Sequence, residues 1–143
     1  MSQPTMHIRP FEVSDTEAVV QLWQATGLTR PWNDPHRDIE RKLSVQPELF
    51  LVGEAQGRVI ATAMTGYDGH RGWVYYLAVD PSRQGVGFGR HILSHAEGLL
   101  LELGCPKVNM QVRSGNDAQI ERYRRWGYSP DGATGMGKRI IPD

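Results

Sequence analysis

The stretch YYLAVDPSRQGVGFGRHILSHAEGLLLELG constrains this chain more than any other. An apolar, aromatic and β-branched run, Trp73 to Val79, reads as a strand. It breaks at Asp80-Pro81 and passes through glycines at 85, 87 and 89. Beyond them Ile92, Leu93, Ala96, Leu99, Leu100 and Leu103 recur at helical spacing, and Gly104 stops the helix. Strand, glycine loop and amphipathic helix together require a sheet with a helix packed on it. The continuous apolar run predicts a central strand buried on both faces.

The remaining chain supplies the other layers. Met6 to Arg9 is a short strand, and Ser14 or Asp15 caps a helix bearing Ala18, Val19, Leu22 and Trp23. Asp34-Pro35 opens a second helix that ends near Leu43 or Ser44. Leu49 to Glu54 and Arg58 to Tyr67 form a hairpin about AQG, and Asp68-Gly69 turns into the central strand. Lys107 to Val112 reads as a strand, residues 116–126 as a last helix, and Met136 to Ile141 as a final strand. The expected fold is a mixed α+β or α/β sheet with helices on both faces, built as a single domain over residues 1–143.

Three closely spaced glycines at a helix start let backbone amides approach one ligand, and the helix dipole adds partial positive charge there. A phosphate is the natural guest, with Arg83 and Arg90 flanking it. A tight turn would explain the glycines equally well. A Walker loop is excluded because Gly-Lys-Ser/Thr is absent, and a dinucleotide fingerprint because the glycine spacing differs from GxGxxG.

LAVDPSRQGVGFGRHIL resembles the acyl-CoA-binding segment of the GNAT superfamily of acetyltransferases, with Val79, Pro81, Gln84, Gly87 and Gly89 in register. A second motif of that superfamily, an asparagine, a tyrosine seven residues on and then Gly-Phe/Tyr, is met by Asn116, Tyr123 and Gly127-Tyr128. RPWNDP, DIERK, YDGHRG and GCPK are similar to YpeA-type bacterial members. The resemblance implies the GNAT-like acyl-CoA N-acyltransferase fold, an α/β arrangement with a central mixed, mostly antiparallel sheet, and acetyl-CoA as co-substrate, its pyrophosphate on the loop Gln84, Gly85, Val86, Gly87, Phe88, Gly89 and Arg90. Its pantetheine arm would pair with Leu77, Ala78 and Val79, with Asn116 reaching the arm from the other side.

The implied reaction is acetyl transfer to a primary amine, a small molecule or a protein N-terminus, by direct attack in a ternary complex. Tyr123 would protonate the leaving thiolate, because a phenol of pKa about 10 stays protonated at neutral pH. A backbone amide near Leu77 or Ala78 would stabilise the oxyanion. The general base is unassigned: relatives carry Glu at the positions of Trp73 or Gln111, and neither side chain here can accept a proton from an ammonium group. Asp68 and His70 are the nearest ionisable candidates, unless the acceptor amine already has a low pKa. The absent glutamates also fit a non-catalytic acyl-CoA-binding or sensing module.

Arg30, Trp32 and Asn33, between the first two helices, are the expected acceptor-side residues, and Asp34 is expected to cap. Arg30 would suit an acidic acceptor. His91 and His95 share a helix face with no third ligand evident, so no metal is expected. Arg122, Arg124 and Arg125 either form a solvated face or attract the 3′-phosphate. Sixteen basic residues balance sixteen acidic ones, which argues against a general nucleic-acid binder. The single Cys105 excludes an internal disulfide and suits the cytoplasm. No run approaches the roughly 20 apolar residues of a membrane span, so no membrane partner is expected; a homodimer is left open.

Overall fold

The computed structural model describes residues 5–143. Its sheet is built by the alternating runs. Strands β1 (His7–Pro10), β2 (Phe50–Ala55), β3 (Arg58–Tyr67), β4 (Gly72–Val79) and β5 (Val108–Asn109) lie side by side in that order. The first four are antiparallel, and β5 is parallel to β4. β2 and β3 join through Gln56 and Gly57, both left-handed (φ 54° and 74°), as a tight two-residue hairpin turn requires.

Helices cover both faces. α1 (Thr16–Ala25) and α2 (Pro35–Leu43) take one face, where Trp23 Nε1 donates to Thr62 Oγ1 on β3 (2.9 Å) and Gly66 looks toward Lys42. Asp34 caps α2 as expected, its Oδ1 accepting from the His36 amide (2.9 Å) with Pro35 in the first turn. On this side Phe11 stacks on Phe50 (4.5 Å) and Phe50 on Trp23 (6.1 Å), amid Val19, Val20, Leu22, Ile39, Val52 and Met64. α3 (Phe88–Glu102) takes the other face, burying Ile92, Leu93, Ala96 and Leu100. Gly72 is needed there: a Cβ would come within 2.8 Å of Leu100 and 2.9 Å of Cys105.

The chain divides into two compact units, Met1–Met110 and Gln111–Asp143. The first holds the sheet and α1 to α3. The second holds α4 (Asp117–Arg125), capped by Asn116, whose Oδ1 accepts from the Gln119 amide (3.3 Å).

Three expectations are corrected. The strand expected over Lys107 to Val112 shrinks to Val108–Asn109. No strand forms over Met136 to Ile141: Met136, Ile140 and Ile141 are exposed, and a strand without a ladder partner or a buried face has nothing to hold it. β4 is not buried on both faces either: the side bearing Trp73 and Tyr75 is left partly open, and along its edge β5 pairs only with Gly72 and Trp73. Beyond that point Tyr75 is 46% exposed, and β4 pairs with β3 alone among the described residues.

One charged cluster braces the start of the fold. Arg9 on β1 holds Asp15 through both terminal nitrogens (2.8 and 2.9 Å) and Glu54 on β2 through Nε (2.9 Å). Asp15, only 7% exposed, also accepts from the Glu12 amide (2.8 Å). The hydrogen bonds from Arg9 hold the Asp15 carboxyl below the usual aspartate range, although burial opposes them. A folded pKa below the unfolded value of about 3.9 means the contribution is present above that value and lost as pH falls through the folded one. Asp15→Asn is therefore expected to cost about 2 kcal/mol at pH 7. Its urea midpoint should approach the parent's as pH drops from 6 toward 3; a constant gap would mean that another contact is responsible.

Candidate active site

Leu77, Ala78 and Val79 and the loop residues 84–90 meet where β4 runs into α3. At Asp80 the chain turns: its Oδ1 accepts from the Ser82 amide (2.9 Å) and hydroxyl (2.8 Å), and its amide donates to Ile60 O (2.8 Å). Gln84 folds back, its Nε2 donating to Val79 O (3.1 Å) and fastening the loop to the strand end. Gly85 and Gly87 are left-handed (φ 84° and 97°), with nothing within 4 Å of a Cβ built at either. Backbone conformation, not crowding, is what requires glycine here. Phe88 is buried and roots the loop, while Val86 is 55% exposed.

Gly87 caps α3, so the amides of Phe88, Gly89 and Arg90 face outward without an intrahelical partner, as at any helix start. Gln84 to Gly87 and Arg90 are exposed and Arg83 is half-buried. Open amides, the positive end of a fifteen-residue helix and two guanidinium groups make a seat for a polyanion. Beside it, the β4 edge from Val74 to Val79 has no strand partner on the β5 side among the described residues. An extended ligand with its own amides can pair there as an added strand.

β4 is also bent. Thr62 faces Ala78 while Met64 faces Tyr75, so Tyr76 and Leu77 together oppose Ala63 in a bulge. Tyr76 adopts φ 51°, a left-handed conformation that costs a non-glycine residue about 1–3 kcal/mol. Its surroundings enforce it: the ring stacks on Trp23 (3.7 Å), and its carbonyl accepts from Thr62 Oγ1 (2.7 Å). Its phenol donates to Asp38 Oδ2 on α2 (2.6 Å) and accepts from Asn33 Nδ2 (3.1 Å). Asn33 Nδ2 also donates to Asp38 Oδ2.

Of the expected acceptor-side residues, Asn33 thus reaches β4, whereas Arg30 folds back on its own loop, Nη1 donating to Gly27 O (2.6 Å) and Thr29 O (2.8 Å). Trp32 is 57% exposed. Sequence reasoning missed Asp38 and Tyr76. Both lie within apolar or charged patterns that ordinary core and surface roles explain.

Asp68, one of two candidate bases, accepts from the His70 (2.8 Å) and Arg71 (2.7 Å) amides, and those bonds hold its carboxyl below the usual range. It is a turn residue and a weakened base. His70 lies beside the Arg71 guanidinium, its Nδ1 3.4 Å from Nη1. His91 and His95 sit on the exposed face of α3, and no group of three His, Cys, Asp or Glu able to hold a metal occurs among the described residues. Cys105 is buried, its Sγ donating to Lys107 O (3.3 Å). No described helix is long and apolar enough to cross a membrane.

In the second unit Tyr123 is buried against Trp126 (5.6 Å) and Tyr128 (6.2 Å), both edge-on. Gln119 Nε2 donates to Tyr123 Oη (2.7 Å), which leaves the phenolic proton to be given elsewhere. Burial raises the Tyr123 pKa, with Gln119 and Arg122 opposing, so the phenol stays protonated at neutral pH.

Residues 16–128 match the model of the Acetyltransferase (GNAT) family. The chain belongs to that family. It is 49% identical over 138 residues, covering 96% of this chain and 98% of the other, to acetyltransferase YE1169 of Yersinia enterocolitica. Its fold is similar to Ard1 from Thermoplasma volcanium (TM-score 0.75, 27% identity, 87% and 82% of the two chains). It is also similar to AAC(6')-Iy in complex with the bisubstrate analog CoA-S-monomethyl-acetylneamine (TM-score 0.76, 96% and 99% covered). At 15% identity the last likeness speaks for the fold alone. The mixed five-stranded sheet is thus the GNAT fold, and acetyl transfer is the family's chemistry.

Proposed function

We propose that the chain transfers an acetyl group from acetyl-CoA to a primary amine by direct attack on the bound thioester. The observation that carries this reading is the unpartnered β4 edge running straight into the glycine turn and the start of α3. The pyrophosphate would lie on the amides of residues 84–90, and the pantetheine amides would pair with Leu77, Ala78 and Val79. The bulge at Tyr76 and Leu77 turns the backbone next to where the thioester carbonyl would lie, so an amide at Leu77 or Ala78 would donate to the oxyanion. Tyr123 would give the leaving thiolate its proton, and Asn116, beyond capping α4, would contact the arm.

Titration calorimetry with acetyl-CoA, paired with thiol release from acetyl-CoA, tests this. The acceptors would be an alanine-starting peptide, a lysine peptide, spermidine and hydroxylamine. Binding and acceptor-dependent thiol release are expected. Folded protein that gives neither heat nor a thermal shift with the nucleotide would overturn the reading; binding without turnover across the panel would leave a binding module in its place.

A further inference from the structure

The bulged tyrosine and the carboxylate behind it form a hydrogen-bonded pair that the glycine loop does not require. Tyr76 stands one residue before Leu77, its phenol bonded to Asp38 Oδ2 at 2.6 Å. Asp38 is held from its own helix by Arg41 Nη1 on Oδ1 (3.3 Å) and from the α1–α2 loop by Asn33. Its side chain is 19% exposed. α1, α2 and β4 thus all contribute to fixing one phenol at a backbone position that its own geometry disfavours, which is how functional groups are commonly held.

We propose that Tyr76 Oη takes the proton from the attacking amine while its own phenolic proton passes to Asp38 Oδ2, making Tyr76 a catalytic residue and Asp38 a positioning residue and proton sink. The proposal rests on the function proposed above. The nitrogen lone pair forms the C–N bond at the thioester carbonyl, and one N–H proton goes to Tyr76 as the Tyr76 proton goes to Asp38. The C–S bond breaks with its electron pair on sulfur, and the thiolate is protonated by Tyr123. Asp38 then returns its proton to water and Tyr123 regains one. The sum is amine plus thioester giving amide plus thiol. This arrangement supplies a proton acceptor where Trp73 and Gln111 cannot.

The experiment measures thiol release from acetyl-CoA for the parent, Tyr76→Phe and Asp38→Asn, with spermidine or a peptide amine as the basic acceptor and hydroxylamine, largely unprotonated at neutral pH, as the weakly basic one. Tyr76→Phe keeps the ring on Trp23, and Asp38→Asn keeps an oxygen that can accept from Tyr76. Both variants are expected to lose roughly 100-fold in kcat with the basic amine. Their loss should be at least tenfold smaller with hydroxylamine, whose weakly basic nitrogen gives up its proton without a strong acceptor, and they should bind acetyl-CoA like the parent. Equal losses with both amines would reduce the pair to a structural clamp, and parent-like rates with the basic amine would remove it from the reaction. A parent inactive with every acceptor would instead defeat the function itself.

Discussion

Tyr123→Phe is expected to lower turnover roughly 100-fold with any acceptor the parent uses, while leaving the acetyl-CoA dissociation constant within about twofold. The substitution removes one oxygen and keeps the ring that meets Trp126 and Tyr128 edge-on. Its stability cost is confined to the amide of Gln119, which loses its acceptor, about 1 kcal/mol. A larger catalytic loss at a small shift in melting temperature separates proton donation from packing. Because burial holds the phenol above its ordinary value, the parent's rate should not fall from loss of this proton until pH passes about 10. Unchanged turnover across several acceptors would exclude Tyr123 from the chemistry.

Gly87→Val is expected to weaken acetyl-CoA at least tenfold, about 1.4 kcal/mol. Gly87 holds φ 97° at the cap of α3, a conformation a β-branched residue meets only under strain. The open space around its Cβ means no neighbour need clash; relief comes by rotating the backbone, which re-aims the amides of Phe88 and Gly89. Gly98→Ala is the control. It lies within α3 with nothing within 4 Å of a Cβ, so alanine should raise stability by about 0.5–1 kcal/mol without changing binding. Calorimetry on both variants distinguishes loop geometry from general stability. Parent-like affinity in Gly87→Val would show that these amides do not carry the nucleotide.

The elements that were legible in the sequence are those whose cause is local. Asp34-Pro35 starts α2 because the carboxylate caps a neighbouring amide and proline suits the first turn. The AQG hairpin, the glycine loop and α3 follow equally from spacing and left-handed residues. The strand expected over Met136 to Ile141 failed because apolar content makes a strand only where an edge and a buried face await it, and no local pattern reports either.

The same division runs through the site. The glycine turn could be read from spacing alone, whereas Asn116 and Tyr123 stand out only by their resemblance to a GNAT motif with a fixed interval between its residues. Nothing local pairs Tyr76 with Asp38, 38 residues earlier, or Trp23 with Thr62, 39 residues later. Short-range hydrogen bonds and helix periodicity act over a few residues, so the chain's order alone determined the glycine loop and the helices. The left-handed bulge of β4, the exposed edge beside it and the carboxylate behind its phenol arise only when α1 and α2 pack on one face of the sheet and β5 stops after two residues. Those contacts over-determine a backbone conformation that tyrosine would not adopt by itself, and only the folded chain could decide it.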